Sequence, residues 1–171
     1  LAGATKLETI SSRAFYDARI NSITFPASLK TIQGSAFELC RVSSTLNFAS
    51  SNLLTEISDE KVFKGAVITT FSWPPNLVSL YTPSSPVKSE YEKCTFYQCQ
   101  ISTLNLQTGT GLKTIPRYAF YGVFILTKIT FPEELEKIYG YAFSNADITS
   151  KIEITKNVDT IQGYAFDNCQ I

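Results

Sequence analysis

Cysteine is the residue best equipped for chemistry in this chain, because its thiolate can serve as nucleophile, metal ligand or half of a disulfide. There are four: Cys40, Cys94, Cys99 and Cys169. Their usual co-workers are missing, since the 171 residues contain no histidine. That removes the Cys-His pair, the Ser-His-Asp triad and every His-ligated metal site. The acidic pairs Asp59-Glu60 and Glu133-Glu134 fall in turns, with no apolar pocket to raise one carboxyl for acid–base work. No glycine-rich phosphate loop is present. On these grounds no catalytic residue, cofactor site or metal site is expected, and the chain is read as non-enzymatic.

Fifteen Lys plus Arg balance fifteen Asp plus Glu, so the formal charge is zero. Nucleic-acid binders and polybasic membrane-surface proteins need a basic excess, so neither class fits. Apolar residues at 44% and charged residues at 18% suffice for a core and argue against disorder. No apolar run is long enough to span a bilayer. There is no methionine, and the chain opens Leu1-Ala2-Gly3, which leads us to expect a piece of a longer array.

The elements that position any site come from a repeat. Phe15, Phe37, Phe63, Phe96, Phe120, Phe143 and Phe166 are spaced by 22, 26, 33, 24, 23 and 23 residues, a unit of about 23. Most follow an Ala. Apolar residues sit at fixed offsets around each Phe: Leu29, Ile32, Val42, Leu46 and Phe48 belong to the second unit. Three units carry one extra residue before the fifth apolar column. These columns absorb eleven of the twelve Phe and the only Trp, leaving Phe124 unassigned.

The segment from Ile20 to Phe25 alternates at the strand period and is rich in β-branched residues. Identical strands one coil apart must pair in parallel. Leu29 to Ile32 predicts a second, shorter strand on the opposite side, and the Ala-Phe stretch a tight helical or 3₁₀ turn. One coil cannot bury its own apolar edge, but stacked coils can. The expected fold is a mainly β, right-handed, curved parallel solenoid, a single array of about seven units over residues 1–171. Cys40, Cys99 and Cys169 occupy the slot three past the Phe, which Ala18, Ala66, Val123 and Ala146 fill elsewhere. They are read as small buried residues. Cys94, beside an insertion, could pair with Cys99, pair elsewhere or be an exposed thiol.

The unit Leu-x-x-Ile-x-x-x-Ala-Phe-x-x-Cys-x-(x)-Ile-x-x-Ile-x-Phe-Pro resembles the BspA-like (Treponema pallidum-type) leucine-rich repeats. Residues 29–40 (LKTIQGSAFELC) and 126–143 (LTKITFPEELEKIYGYAF) carry the resemblance best. It implies a leucine-rich repeat solenoid on a surface or secreted protein, extracellular, with roles in adhesion and in binding other proteins. It also implies that the outward residues of the main sheet face a concave partner surface. These are Ser22 and Thr24, Thr45 and Asn47, Thr70 and Ser72, Thr103 and Asn105, Lys128 and Thr130, and Lys151 and Glu153.

Two further candidates stand outside the sheet. Tyr118, Tyr141 and Tyr164 each precede the Phe by two and should stack along one flank. Tyr97, Tyr121 and Phe124 lie beside them. Such a flank suits either a contact surface or a structural ladder. Residues 81–91 (YTPSSPVKSEY) are read as an inserted loop between Leu80 and the Thr95-Phe96 turn. The expected partner is a protein, with a glycan or further copies of the chain as alternatives. The second functional hypothesis is a structural one, a self-assembling coat or filament favoured by zero net charge.

Overall fold

The structure, a computed structural model, describes residues 4–85, 87–149 and 151–170. The column positions at Leu1 and Ile171 and the loop residue Pro86 lie outside them. The chain winds as a solenoid of stacked coils with almost no helix. Each coil lays one strand into a parallel main sheet, whose strands are β2 (Arg19–Ile20), β3 (Ile23–Thr24), β5 (Arg41–Asn47), β7 (Val67–Ser72), β9 (Gln100–Asn105), β11 (Phe124–Thr130) and β13 (Asp147–Ile148). Their order is β13-β11-β9-β7-β5-β2, with β3 also on β5. Two-residue strands line the opposite side. There β1 (Thr9–Ile10) pairs β4 (Thr31–Ile32), β6 (Glu56–Ile57) pairs β8 (Ser79–Leu80), and β10 (Thr114–Ile115), β12 (Lys137–Ile138) and β14 (Thr160–Ile161) form a third small sheet.

The apolar columns become the rungs. Ile20, Val42, Ile68, Ile101, Ile125 and Ile148 are matched in register across the main sheet. So are Ile23, Leu46, Phe71, Leu104 and Ile129. The extra residue appears as a register shift between Val42 and Thr45 and again between Ile125 and Lys128, each a local bulge that restores the inward column.

The seven Phe of the repeat stand in one interior row. Neighbouring ring centroids are 4.9, 5.2, 4.9, 5.3, 5.1 and 5.1 Å apart from Phe15 to Phe166. The strand-end aromatics Phe25 and Phe48 meet this row edge-on. Full burial of one such ring is worth about 1.5–3 kcal/mol, and no coil achieves it without the next. The row is least regular beside the insertion, where Phe96 and Phe120 tilt by 38°. Trp73 packs there against both rings, and a Cβ on Gly109 would come within 2.7 Å of its Cδ1.

The Phe turns are closed by N–H(i) to C=O(i−3) bonds, such as Ala36 N to Gln33 O and Cys40 N to Phe37 O. Positive φ recurs two residues after every Phe, and two before each of them except at Cys94. The later position holds Asp17, Gly65, Gly122, Asn145 and Asn168, types that tolerate this conformation, and also Leu39 and Gln98, which do not favour it. The earlier one holds Arg13, Ser35 and Lys61 and, bulkiest, Tyr118, Tyr141 and Tyr164, for which it is costly. Their rings stack at 5.1 Å along the flank. Arg117 caps two of them, its Cζ at 5.0 and 5.3 Å from the Tyr118 and Tyr141 ring centres. Tyr118 is only 5% exposed, whereas Tyr164, covered on one side alone, is 63% exposed.

Two expectations need correction. Lys151 and Glu153 are not in the main sheet: β13 ends at Ile148, and residues 151–155 form no strand. Ile154, matched in sequence to buried Phe25, Phe48, Trp73 and Leu106, is 41% exposed. The reason is one-sided support. Among the described residues only β11 adjoins this segment. Cys94, for its part, is a fully buried free thiol, not an exposed or bridged one.

Burial sets the thiol chemistry. Loss of water raises the pKa of Cys40 and Cys169 to about 11 and of Cys94 to about 12, and raises that of Cys99 as well. Only Cys169 is partly accessible. Iodoacetamide at pH 8 is therefore expected to label Cys169 first and slowly, with the other three modified only on denaturation. Mass spectrometry of the labelled peptides checks this.

Thr95 occupies the column otherwise held by Ala and Val, and its buried Oγ1 has no hydrogen-bond partner. Thr95→Val is expected to stabilise the array by about 1 kcal/mol in urea titrations, because an unmade buried hydroxyl is replaced by a methyl. Tyr118→Ala should lose about 3 kcal/mol. Tyr118→Gly should recover about 1 kcal/mol of that loss by relieving the positive φ, a reversal of the usual Ala-over-Gly order that the same titration reads out.

Candidate functional site

The outward face of the main sheet carries rows of side chains matched in register from strand to strand. Thr45, Thr70, Thr103 and Lys128 form one row across β5, β7, β9 and β11. Asn47, Ser72, Asn105 and Thr130 form the next, with Thr24 beside Asn47. All but Lys128 are half-buried between their neighbours. Several are already occupied. Asn47 Oδ1 accepts from Ala49 N at 2.9 Å, and Asn105 Oδ1 accepts from Gln107 N and Thr130 Oγ1, both at 3.1 Å. Ser22 Oγ donates to Thr45 O at 3.2 Å. These side chains terminate strands and hold adjacent coils together.

A third outward row was not read from the sequence. Four residues past each Phe stand Arg19, Arg41, Val67, Gln100, Phe124 and Asp147, in register. They start the main sheet because the preceding turn hands over there, as in Arg41 N to Ala18 O and Phe124 N to Cys99 O. This row holds the otherwise unassigned Phe124, 36% exposed, and it supplies the Arg and aromatic anchors that the Thr and Asn rows lack. The available signal was the constant offset from Phe. It was hidden because the residues at that offset share no chemical type.

Beside Phe124 the Tyr flank closes into a cup. Tyr91, Tyr97, Tyr121 and Phe124 line a recess of about 310 Å³. Tyr121 lies 4.6 Å from Tyr91 and 6.3 Å from Tyr97, centroid to centroid. Its hydroxyl pKa is pushed up to about 12, by burial first and by its Tyr neighbours second. Tyr91 comes from the insertion, which is not a free loop. It ends in a single helical turn, α1 (Lys88–Tyr91), that seats Tyr91 at 5.4 Å from Tyr118. Glu90 anchors the segment. Its carboxylate accepts from Lys93 Nζ at 2.9 Å, Ser84 Oγ at 3.0 Å and Tyr81 OH at 3.3 Å. The bonds from Lys93 and Ser84 hold its pKa below the ordinary glutamate range.

A second recess, about 610 Å³, opens where 151–155 departs from β11 and is edged by Lys128, Lys151 and Glu153. Lys151 and Glu153 pair with each other at 3.0 Å. Among the described residues no group of three or more Cys, Asp or Glu side chains is placed to hold a metal. No helix among them is long and apolar enough to cross a membrane.

The sequence model described as "BspA type Leucine rich repeat region (6 copies)" matches residues 8–84 and 70–171. No curated protein and no solved structure gives a significant match. The matched residues are the ones that build the Phe row, the main sheet and the short opposing strands. Solenoids of this kind are in general non-catalytic repeat modules. The chain belongs to the BspA-type leucine-rich repeat family.

Proposed function

We propose that this array is a non-enzymatic binding module that docks a protein partner on the outward face of its main sheet, as part of an adhesive surface or secreted protein. The observation that carries the reading is the row from Arg19 to Asp147. Protein interfaces concentrate their energy in Arg and aromatic anchors set among near-neutral neighbours. The row offers both types, in register, on a scaffold fixed by the stacked rings. The half-buried Thr and Asn rows beside it supply a flat polar surround, and the Tyr cup extends the surface past Phe124. Zero net charge leaves recognition to local pattern, with no long-range steering.

The test is site-specific photo-crosslinking against a panel of purified extracellular proteins. p-Benzoylphenylalanine in place of Phe124 or Gln100 is expected to give adducts with the same partner. The same group in place of Val78, exposed on the opposite side of the coil, should give none. No adducts from any position, or equal adducts from all three, would overturn the reading. Adducts at twice the mass of the chain, with light scattering that grows with concentration, would establish the self-assembling coat or filament instead.

A further inference from the structure

Arg19 and Arg41 lie directly opposite each other on adjacent parallel strands. Strand neighbours are about 4.8 Å apart, so two guanidinium stems of like charge rise side by side from the sheet. Like charges in cross-strand register destabilise a sheet. Two other cross-coil positions hold opposite charges instead: Glu8 faces Lys30 and Lys113 faces Glu136, each pair at 2.8 Å. Among the described residues neither Arg19 nor Arg41 has a carboxylate within ion-pair distance. A recess of about 370 Å³ opens between them, completed by Asn21 and Ser43. Ser43 Oγ donates to Asn21 Oδ1 at 3.1 Å. That fixes the amide and leaves the Asn21 NH₂ without an acceptor among the described residues. The recess is therefore edged by donors from three side chains.

We infer that Arg19, Arg41 and Asn21 form a carboxylate-binding site that receives an acidic side chain of the protein partner. The inference rests on the protein-binding reading and names the chemistry of one end of that interface. Guanidinium forks match the planar carboxylate and bind it in bidentate fashion. The rest of the row selects against an extended polyanion. It turns apolar at Val67 and Phe124 and ends on Asp147, which would repel a polyanion long enough to span the whole row, though not a short one seated at the arginine end. The complementary partner is acidic at one end and apolar in the middle.

The probe is hexaglutamate, added at low ionic strength to the full chain and followed by thermal unfolding. It is expected to raise the melting temperature by about 2–4 °C. The shift should vanish in both Arg19→Gln and Arg41→Gln. With no peptide present, Arg41→Glu should melt above the parent, since it converts the like pair into an opposite one. Inorganic sulfate is the comparison: a sulfate shift that depends on the two arginines, without one from hexaglutamate, would assign the site to free inorganic anions and overturn the proposal. So would an Arg41→Glu chain melting at or below the parent, or a hexaglutamate shift that is absent or survives Arg19→Gln. Crosslinking from position 124 is independent of these results, so failure here leaves the binding reading standing.

Discussion

One contact governs this molecule: the face of each coil's Phe ring against the ring of the next. A coil of about 23 residues cannot enclose an aromatic side chain by itself. It presents the ring on its open side and depends on the following coil to cover it. The consequence is a row of seven rings at close to 5 Å, near the spacing that parallel strands impose on the backbone. Ring stacking and strand pairing thus demand the same rise per coil. Neither can be changed without straining the other.

That shared spacing explains where the structure is regular and where it is not. The insertion between the third and fourth coils adds residues on the side away from the main sheet, and the sheet passes it without a break from β7 to β9. The cost appears in the turn layer. There the rings of Phe96 and Phe120 tilt, Thr95 is buried with an unmet hydroxyl, and Trp73 packs against both rings. The insertion is held down by Glu90 and by Tyr91, which joins the flank of stacked tyrosines. The same irregularity creates the aromatic cup beside Phe124, so the departure from the repeat coincides with the most distinctive part of the surface.

The outward surface follows from a division of labour along each strand. Inward residues are repeated from coil to coil because the core requires it. Outward residues can vary, and two rows use that freedom modestly, with Thr, Ser and Asn, of which Asn47, Asn105 and Thr130 bond within the array. The row from Arg19 to Asp147 varies most: basic at one end, apolar in the middle, acidic at the other. A surface that is regular in position and irregular in chemistry suits selective recognition on a rigid support.

The residues whose environment is the same in every coil were legible in the sequence. Leu29, Ile32, Phe37, Val42, Leu46 and Phe48 are all buried, as their fixed offsets require, and the pairing of like columns follows because identical strands can align only in parallel. Side-chain type and periodicity determine these because each obeys a local rule repeated seven times. Tertiary structure alone decided the rest. It put Arg19 opposite Arg41, brought Tyr91 from the insertion onto Tyr118, buried Cys94 and released residues 151–155 from the sheet. Each of these depends on what the adjacent coil supplies at one particular place, and a periodic pattern carries no record of such single encounters.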